Sequence, residues 1–275
     1  MSRCFELPVR ALLVALTISL AGNASAQQRI AVDGSTGTAP LVAALGKAFT
    51  AKSGIAIEIG KGLGTKARFE ALSAGKIDVA MASHGLNVAD ITKRGMTVHR
   101  IAMTPVLFGV HGSMAIAGLT DAQVCSIYAG SARNWKELGG SDLAIAPLVR
   151  PESEVDMEVV RAGLACFKSL KIVDGARSLA RAGDMARALA ETAGGLGMTS
   201  ATFVAQSKGK INGLALNGIA ASEDNVVAGK YRLTRDSFLI TGNAPSPPVK
   251  AFIDFVRGPD GAAVIKANGA IAAAK

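Results

Sequence analysis

Apolar residues fall along this chain in short runs, separated by turns of glycine, serine and threonine. Ile30 and Val32 form a brief apolar strand that meets the turn Asp33-Gly34-Ser35-Thr36-Gly37-Thr38-Ala39-Pro40. After it, Leu41, Val42, Leu45 and Phe49 recur at helical spacing. Ile55, Ile57 and Ile59 alternate as a strand. A helix is predicted over 65–74, with Phe69 and Leu72 inward, and a buried strand over 77–81. Residues 99–110 read as a long extended stretch interrupted by Pro105. Next come a helix over 119–128 capped by Thr120 or Asp121, a strand over 143–149, a helix over 157–167 and a short strand over 171–173. A helix over 183–192 and a short strand over 196–198 follow. An extended run over 238–241 precedes a helix opened by Pro247-Pro248, which proline suits in a first turn. Such alternation predicts an α/β fold with mainly parallel sheets, whose ligands sit beyond the carboxyl ends of the strands.

The turn at 34–38 lies at such an end. It leaves backbone N–H groups and hydroxyls at the positive end of a helix, which suits an anion or another acceptor-rich ligand. An ordinary strand-to-helix loop with a Ser/Thr cap would carry the same residues. The extended stretches 103–110 and 233–241 are the candidate boundaries. If both are crossovers, the chain leaves a first lobe once and returns once. The first lobe then comprises 27–106 plus 236–275, the second 107–235, and the two crossover strands form a hinge that can close on a ligand.

The first 26 residues read as a secretory signal peptide. Arg3 and Arg10 give a basic start, 11–21 is an apolar run too short for a permanent membrane helix, and Ala24-Ser25-Ala26 is a small-x-small cleavage site. Export to the periplasm is therefore expected. Arg3, Arg10 and Glu6 account for +1 of the formal charge of +9, which leaves about +8 on the mature chain and favours anionic partners. The charges are scattered and aromatics make up only 4%, which argues against a stacking groove for nucleic acid. Cys125 and Cys166 remain after the leader, to pair or to stay as buried free thiols. His84, His99 and His111 lack ligand spacing, and no metal or cofactor is expected. The chain carries no Gly-x-Ser-x-Gly elbow, no His-Glu-x-x-His and no carboxylate–histidine cluster, so a hydrolase is not expected.

Six blocks, in order, resemble the periplasmic phosphate-binding proteins of ABC importers, which have the type II periplasmic binding protein fold. They are Gly34-Ser35-Thr36 with Pro40-Leu41, then Gly62-Leu63-Gly64-Thr65, then Gly75-Lys76-Ile77-Asp78-Val79-Ala80-Met81-Ala82-Ser83. Asn134-Trp135-Lys136-Glu137-Leu138-Gly139-Gly140 and Gly194-Gly195-Leu196-Gly197-Met198 follow, and Glu223-Asp224-Asn225 with Gly229-Lys230-Tyr231-Arg232-Leu233-Thr234-Arg235 completes the set. The resemblance spans nearly the whole mature chain. It implies a two-lobed binding protein, each lobe a mainly parallel sheet flanked by helices, that takes phosphate or a related small oxyanion in the interlobe cleft. It also implies delivery of that anion to a membrane permease, by a protein expected to be monomeric. A sensor subunit of the same fold, with a different solute, is the alternative.

By the same resemblance, the ligand set comprises Ser35, Thr36, Gly37 and Thr38 of the first loop, Gly64 and Thr65 of the second, Ser83 and His84 of the third, and Arg150, Glu154 and Asp156 of the second lobe. Arg150 matches the arginine that pairs with the anion. Three departures stand out. Leu63 replaces a serine, His84 replaces an aspartate or arginine, and Glu154-Val155-Asp156 stands where the family carries Ser-Gly-Thr. Two ionised carboxylates beside a desolvated oxyanion would cost several kcal/mol. Either they face solvent and complement the helix dipole, or they line the cleft and change the solute. Trp135 is expected to anchor the packing of the second lobe.

Overall fold

The computed structural model describes residues 28–274 and the isolated Met1. Of the leader expected over 1–26, residues 2–26 lie outside the described residues.

The chain begins with β1 (Arg29–Gly34), α1 (Ala39–Ser53), β2 (Ala56–Ile59), α2 (Thr65–Ser73), β3 (Val79–Ser83), α3 (Val88–Lys93) and the long β4 (Met96–His111). Its middle third holds β5 (Gly118–Leu119), α4 (Asp121–Ala129), β6 (Ala146–Val149), α5 (Val155–Gly163), β7 (Arg177–Ser178), α6 (Ala182–Glu191), β8 (Gly195–Ser200) and α7 (Ala201–Gln206). It ends with β9 (Ile211–Gly213), β10 (Ala215–Leu216), α8 (Glu223–Val227), β11 (Thr234–Gly242), α9 (Pro247–Val256), α10 (Pro259–Ala267) and β12 (Ile271–Ala272).

The main sheet runs β2-β1-β3-β11-β4-β8-β6-β7. At one end β1 pairs in parallel with both β2 and β3; at the other β6 pairs in parallel with β7 and β8. Between them β4 and β11 run antiparallel to each other and to their outer neighbours. Each parallel run is reached through helices, as parallel pairing requires. Strand β4 is continuous through Pro105, where an interruption is expected from the sequence. Pro105 sits where the strand changes partner: Thr104 still pairs with Arg235 of β11, and Val106 already pairs with Ser200 of β8. A proline costs little where the ladder changes hands.

The buried side chains divide along the chain in the same way. Ile30, Leu45, Phe49, Met81, Leu239 and Phe252 pack in one cluster. Phe108, Tyr128, Trp135, Met157, Phe167, Leu196 and Leu233 pack in another. Two apolar cores therefore flank β4 and β11. Trp135 is fully buried and donates its indole N–H to Gly194 O at 3.0 Å, as an anchoring side chain should.

Some elements shift from their sequence expectation. The helix predicted over 157–167 starts at Val155 and stops at Gly163, and a separate 3-10 turn follows at Ala165–Phe167. Residues 171–173 form no strand; Val173 N donates once to Tyr128 O, and the short strand lies at Arg177–Ser178. The sequence pattern alone does not single out α3, α7, α8 or α10. No helix among the described residues is long and apolar enough to cross a membrane.

Cys125 on α4 and Cys166 in the 3-10 turn form a disulfide, with Cα atoms 6.3 Å apart. It closes a loop with a sequence separation of 41 beside the Tyr128–Phe167 edge contact. Replacing both cysteines by alanine is expected to lower unfolding stability by about 2–4 kcal/mol, read from a urea transition. An unchanged midpoint would show that the unfolded loop is already restrained.

Candidate functional site

The parallel strands β1, β2 and β3 end side by side, so three loops meet at one edge of the sheet. Asp33 locks two of them together: its carboxylate accepts the amide of Gly34 at 2.7 Å and that of Gly62 at 2.9 Å. Leu63 N donates to Gly34 O at 2.9 Å. Glycine is required on both sides of this contact. A Cβ on Gly34 would lie 2.1 Å from Met81 O, and one on Gly62, at φ +105°, would lie 2.5 Å from the Thr36 methyl. Helix α2 then starts at Thr65 behind Gly64, which has no side chain to cap it, so the amides of its first turn are left for solvent or a ligand.

Beneath these loops runs a buried polar network. Ser83 Oγ lies 2.9 Å from Ser35 Oγ and 3.0 Å from Thr38 Oγ1, and it accepts from Arg235 Nη1 at 3.0 Å. Arg235 also donates to Gly37 O at 2.9 Å and forms an ion pair, Nε to Oδ1, with Asp156 at 3.0 Å. The other oxygen of Asp156 lies 3.8 Å from Arg150 Nε. Arg150 in turn donates to Leu179 O at 2.6 Å and to Glu154 Oε2 at 2.5 Å. Arg150, Arg235 and Asp156 are each 5% exposed or less. Two buried guanidiniums are thus balanced by two carboxylates, and the chain of contacts runs from the first loop to the N-terminus of α5.

Above the network lies a cleft of about 450 Å³. Of the residues anticipated from the sequence, Ser35, Thr36, Gly64, Thr65, Ser83, His84 and Glu154 line it. Gly37, Thr38, Arg150 and Asp156 belong to the layer beneath and are held by the bonds just described. Asp156 is therefore neither in solvent nor free in the cleft: it is the counterion of two arginines. Glu154 is partly exposed at the cleft wall. Burial holds its carboxyl above the usual carboxylate range, with Asp156 adding to the effect and Arg150 opposing it.

Further lining residues were not anticipated. Arg68 on α2 and Ser153, Glu158 and Arg181 from the opposite half face the same space. Arg181 donates to Lys61 O across the cleft mouth, and Ala182 N approaches Thr36 Oγ1 at 3.5 Å, so the halves touch there. Arg235 carries a readable signal. Leu233, just before β11, and Arg235, Ser237 and Leu239 along it are all buried and alternate, so period-two reading places an arginine on an inward face. Arg68 has a fainter one, as it precedes the inward Phe69 on α2.

Two consequences can be tested. Arg150→Ala would leave Asp156 and Glu154 short of a cation, and a destabilisation of about 3–5 kcal/mol is expected in urea unfolding; a loss under 1 kcal/mol would mean that the network is not structural. A carboxyl raised in the folded state favours folding below its unfolded pKa, and that contribution is lost as pH rises through the folded value. Against the wild type, Glu154→Gln is therefore expected to gain in thermal midpoint as pH is raised from 4 to 7. A difference that stays flat with pH would contradict the raised carboxyl.

The fold agrees with comparisons to known proteins. A family model described as a PBP superfamily domain matches residues 21–260. The phosphate-binding protein PstS of Bacillus subtilis (strain 168) is 23% identical over 253 residues, covering 88% of this chain and 79% of the relative. A structure from Clostridium perfringens, described as a phosphate ABC transporter substrate-binding protein with bound phosphate, superposes with a TM-score of 0.74 at 23% identity, covering 90% of this chain and 100% of that one. An ABC-type phosphate transport receptor from Vibrio cholerae gives a TM-score of 0.59 at 21% identity, over 88% of this chain and 99% of that one. The chain belongs to the PBP superfamily, and its fold is that of the two-lobed binding proteins.

Proposed function

We propose that this protein is an exported solute-binding protein that takes inorganic phosphate, or a closely related small oxyanion, in the cleft and delivers it to an ABC permease. One observation carries this reading. Loops rich in hydroxyls and glycine, at 34–36, 62–65 and 83–85, meet Ser153 and Arg181 from the opposite half around one cleft. Donor-rich loops at strand ends suit a tetrahedral anion, and the relatives' descriptions name phosphate. The role is binding and release rather than catalysis.

In this reading the lobes are 27–106 with 236–275, and 107–235. The separate apolar clusters on either side of β4 and β11 support that division. Closure about the crossover strands would bring Arg181 and α5 onto the bound anion and create the surface that a permease reads. A periplasmic location follows from the leader, and a monomer suits a cleft that must open and close.

A second solute class is favoured by Glu154 and Glu158 on the cleft wall. Glu158, and the Glu154 oxygen that Arg150 does not hold, would repel a fully ionised oxyanion and accept from a protonated or ammonium-bearing one. Calorimetric titration of the solute-stripped protein with phosphate at neutral pH separates the two. Micromolar or tighter binding, with compaction in small-angle scattering, is expected. No heat with phosphate, but binding of an ammonium-bearing organophosphate, would shift the assignment to the second class.

A further inference from the structure

Three buried arginines surround the loop cluster, and their surroundings differ. Arg150 and Arg235 share Asp156, and Arg150 also holds Glu154. Arg68 has no such partner. It is 7% exposed, yet among the described residues no carboxylate pairs with it. Its Nη1 donates to Met81 O at 3.1 Å and its Nη2 to Thr65 Oγ1 at 2.7 Å, both neutral acceptors. Its Nε is buried and has no hydrogen-bond partner. Burial destabilises the charged form, so the guanidinium pKa is lowered. A buried cation held only by neutral groups is an unbalanced charge, and such a charge is costly until an anion meets it.

Arg68 also lies where an anion can reach it. It lines the cleft beside Gly64 and Thr65, at the uncapped N-terminus of the nine-residue α2. The Nε and Nη2 hydrogens of arginine form one edge that takes two oxygens of a tetrahedral anion side by side. On Arg68 that edge has one donor unused and the other shared only with a threonine hydroxyl. The Nε of Arg150 is unbonded too, but it faces Asp156 at 3.8 Å and Glu154 holds its Nη2, so that edge is already set against carboxylates.

We propose that Arg68, with the first-turn amides of α2, is the cation that binds the oxyanion in this cleft, and that Arg150 serves as a scaffold cation within the network below. The inference rests on the functional reading above. It places charge recognition on the first half of the molecule and leaves the opposite half to close over the anion.

The test uses the full mature protein, stripped of bound solute by unfolding and refolding, titrated with inorganic phosphate at pH 7. Wild type, Arg68→Met and Arg68→Lys are compared by calorimetry, and each is melted with and without phosphate. Arg68→Met is expected to lose about 100-fold in affinity, and its melting midpoint no longer rises with phosphate. Arg68→Lys, which keeps the charge but not the two-pronged edge, falls between. Without phosphate, Arg68→Met melts no lower than wild type, because an unbalanced buried charge has been removed; a purely structural arginine would lower the midpoint. A wild type that binds phosphate alongside an Arg68→Met that binds within twofold overturns this inference alone. A wild type that does not bind phosphate overturns the functional reading and the inference together. Should Arg68→Met fail to fold, Arg68→Lys decides: unchanged affinity overturns the proposal and weakened affinity in a folded protein supports it.

Discussion

The carboxylate of Asp156 sits buried between two guanidiniums, and much of the site's geometry follows from that placement. Arg235 reaches from the start of β11 to Asp156 at 3.0 Å, and through Ser83 and Gly37 O it fixes the first and third loops. Arg150 reaches the same acid from the end of β6 and holds Glu154 at the start of α5. Each cation would be costly alone in this interior, and so would the acid. Together they tie α5 to β11 and to the loops at the ends of β1 and β3. The cleft floor is therefore a salt-bridged plate rather than a row of free ligand donors.

This alters how the acidic loop is understood. Glu154-Val155-Asp156 departs from the donor loop that the resemblance implies, and from the sequence it reads either as solvent-facing or as cleft-lining. The structure divides the pair. Asp156 turns down into the network, while Glu154 remains at the cleft wall with its carboxyl raised by burial. With Arg150 occupied, the second half presents an arginine at the cleft mouth, Arg181, together with two acids on the wall. The first half presents hydroxyls, uncapped amides and Arg68. In the proposed reading, anion recognition leans toward the first half, and the second half selects through what it excludes.

Much of the fold was legible because its signals are local and strong. Strand β1, helix α1 with its proline start and glycine stop, β2 with its alternating Ile57 and Ile59, and the proline-opened α9 all follow from periodicity and capping. Strands β4 and β11 were legible as extended stretches, and two apolar cores part close to them. The disulfide was left open because spacing does not fix pairing; it is the packing of α4 against the 3-10 turn that brings Cys125 and Cys166 together. In the site, loop positions such as Thr36 and Ser83 could be placed by motif, since backbone geometry dictates them. The partners of Arg150, Arg235 and Asp156 could not, because they join residues up to 198 positions apart in sequence. Arg68 was hidden for another reason: on α2 it looks like an ordinary helical arginine, and only its burial without an acid distinguishes it.

A crystal structure of the protein with bound phosphate tests the central claim most directly. The account predicts the anion on Arg68, Thr65 and the first-turn amides of α2, with Arg150 still on Glu154 and Asp156 still between its two arginines. Phosphate seated on Arg150, with Glu154 displaced into solvent, would contradict it.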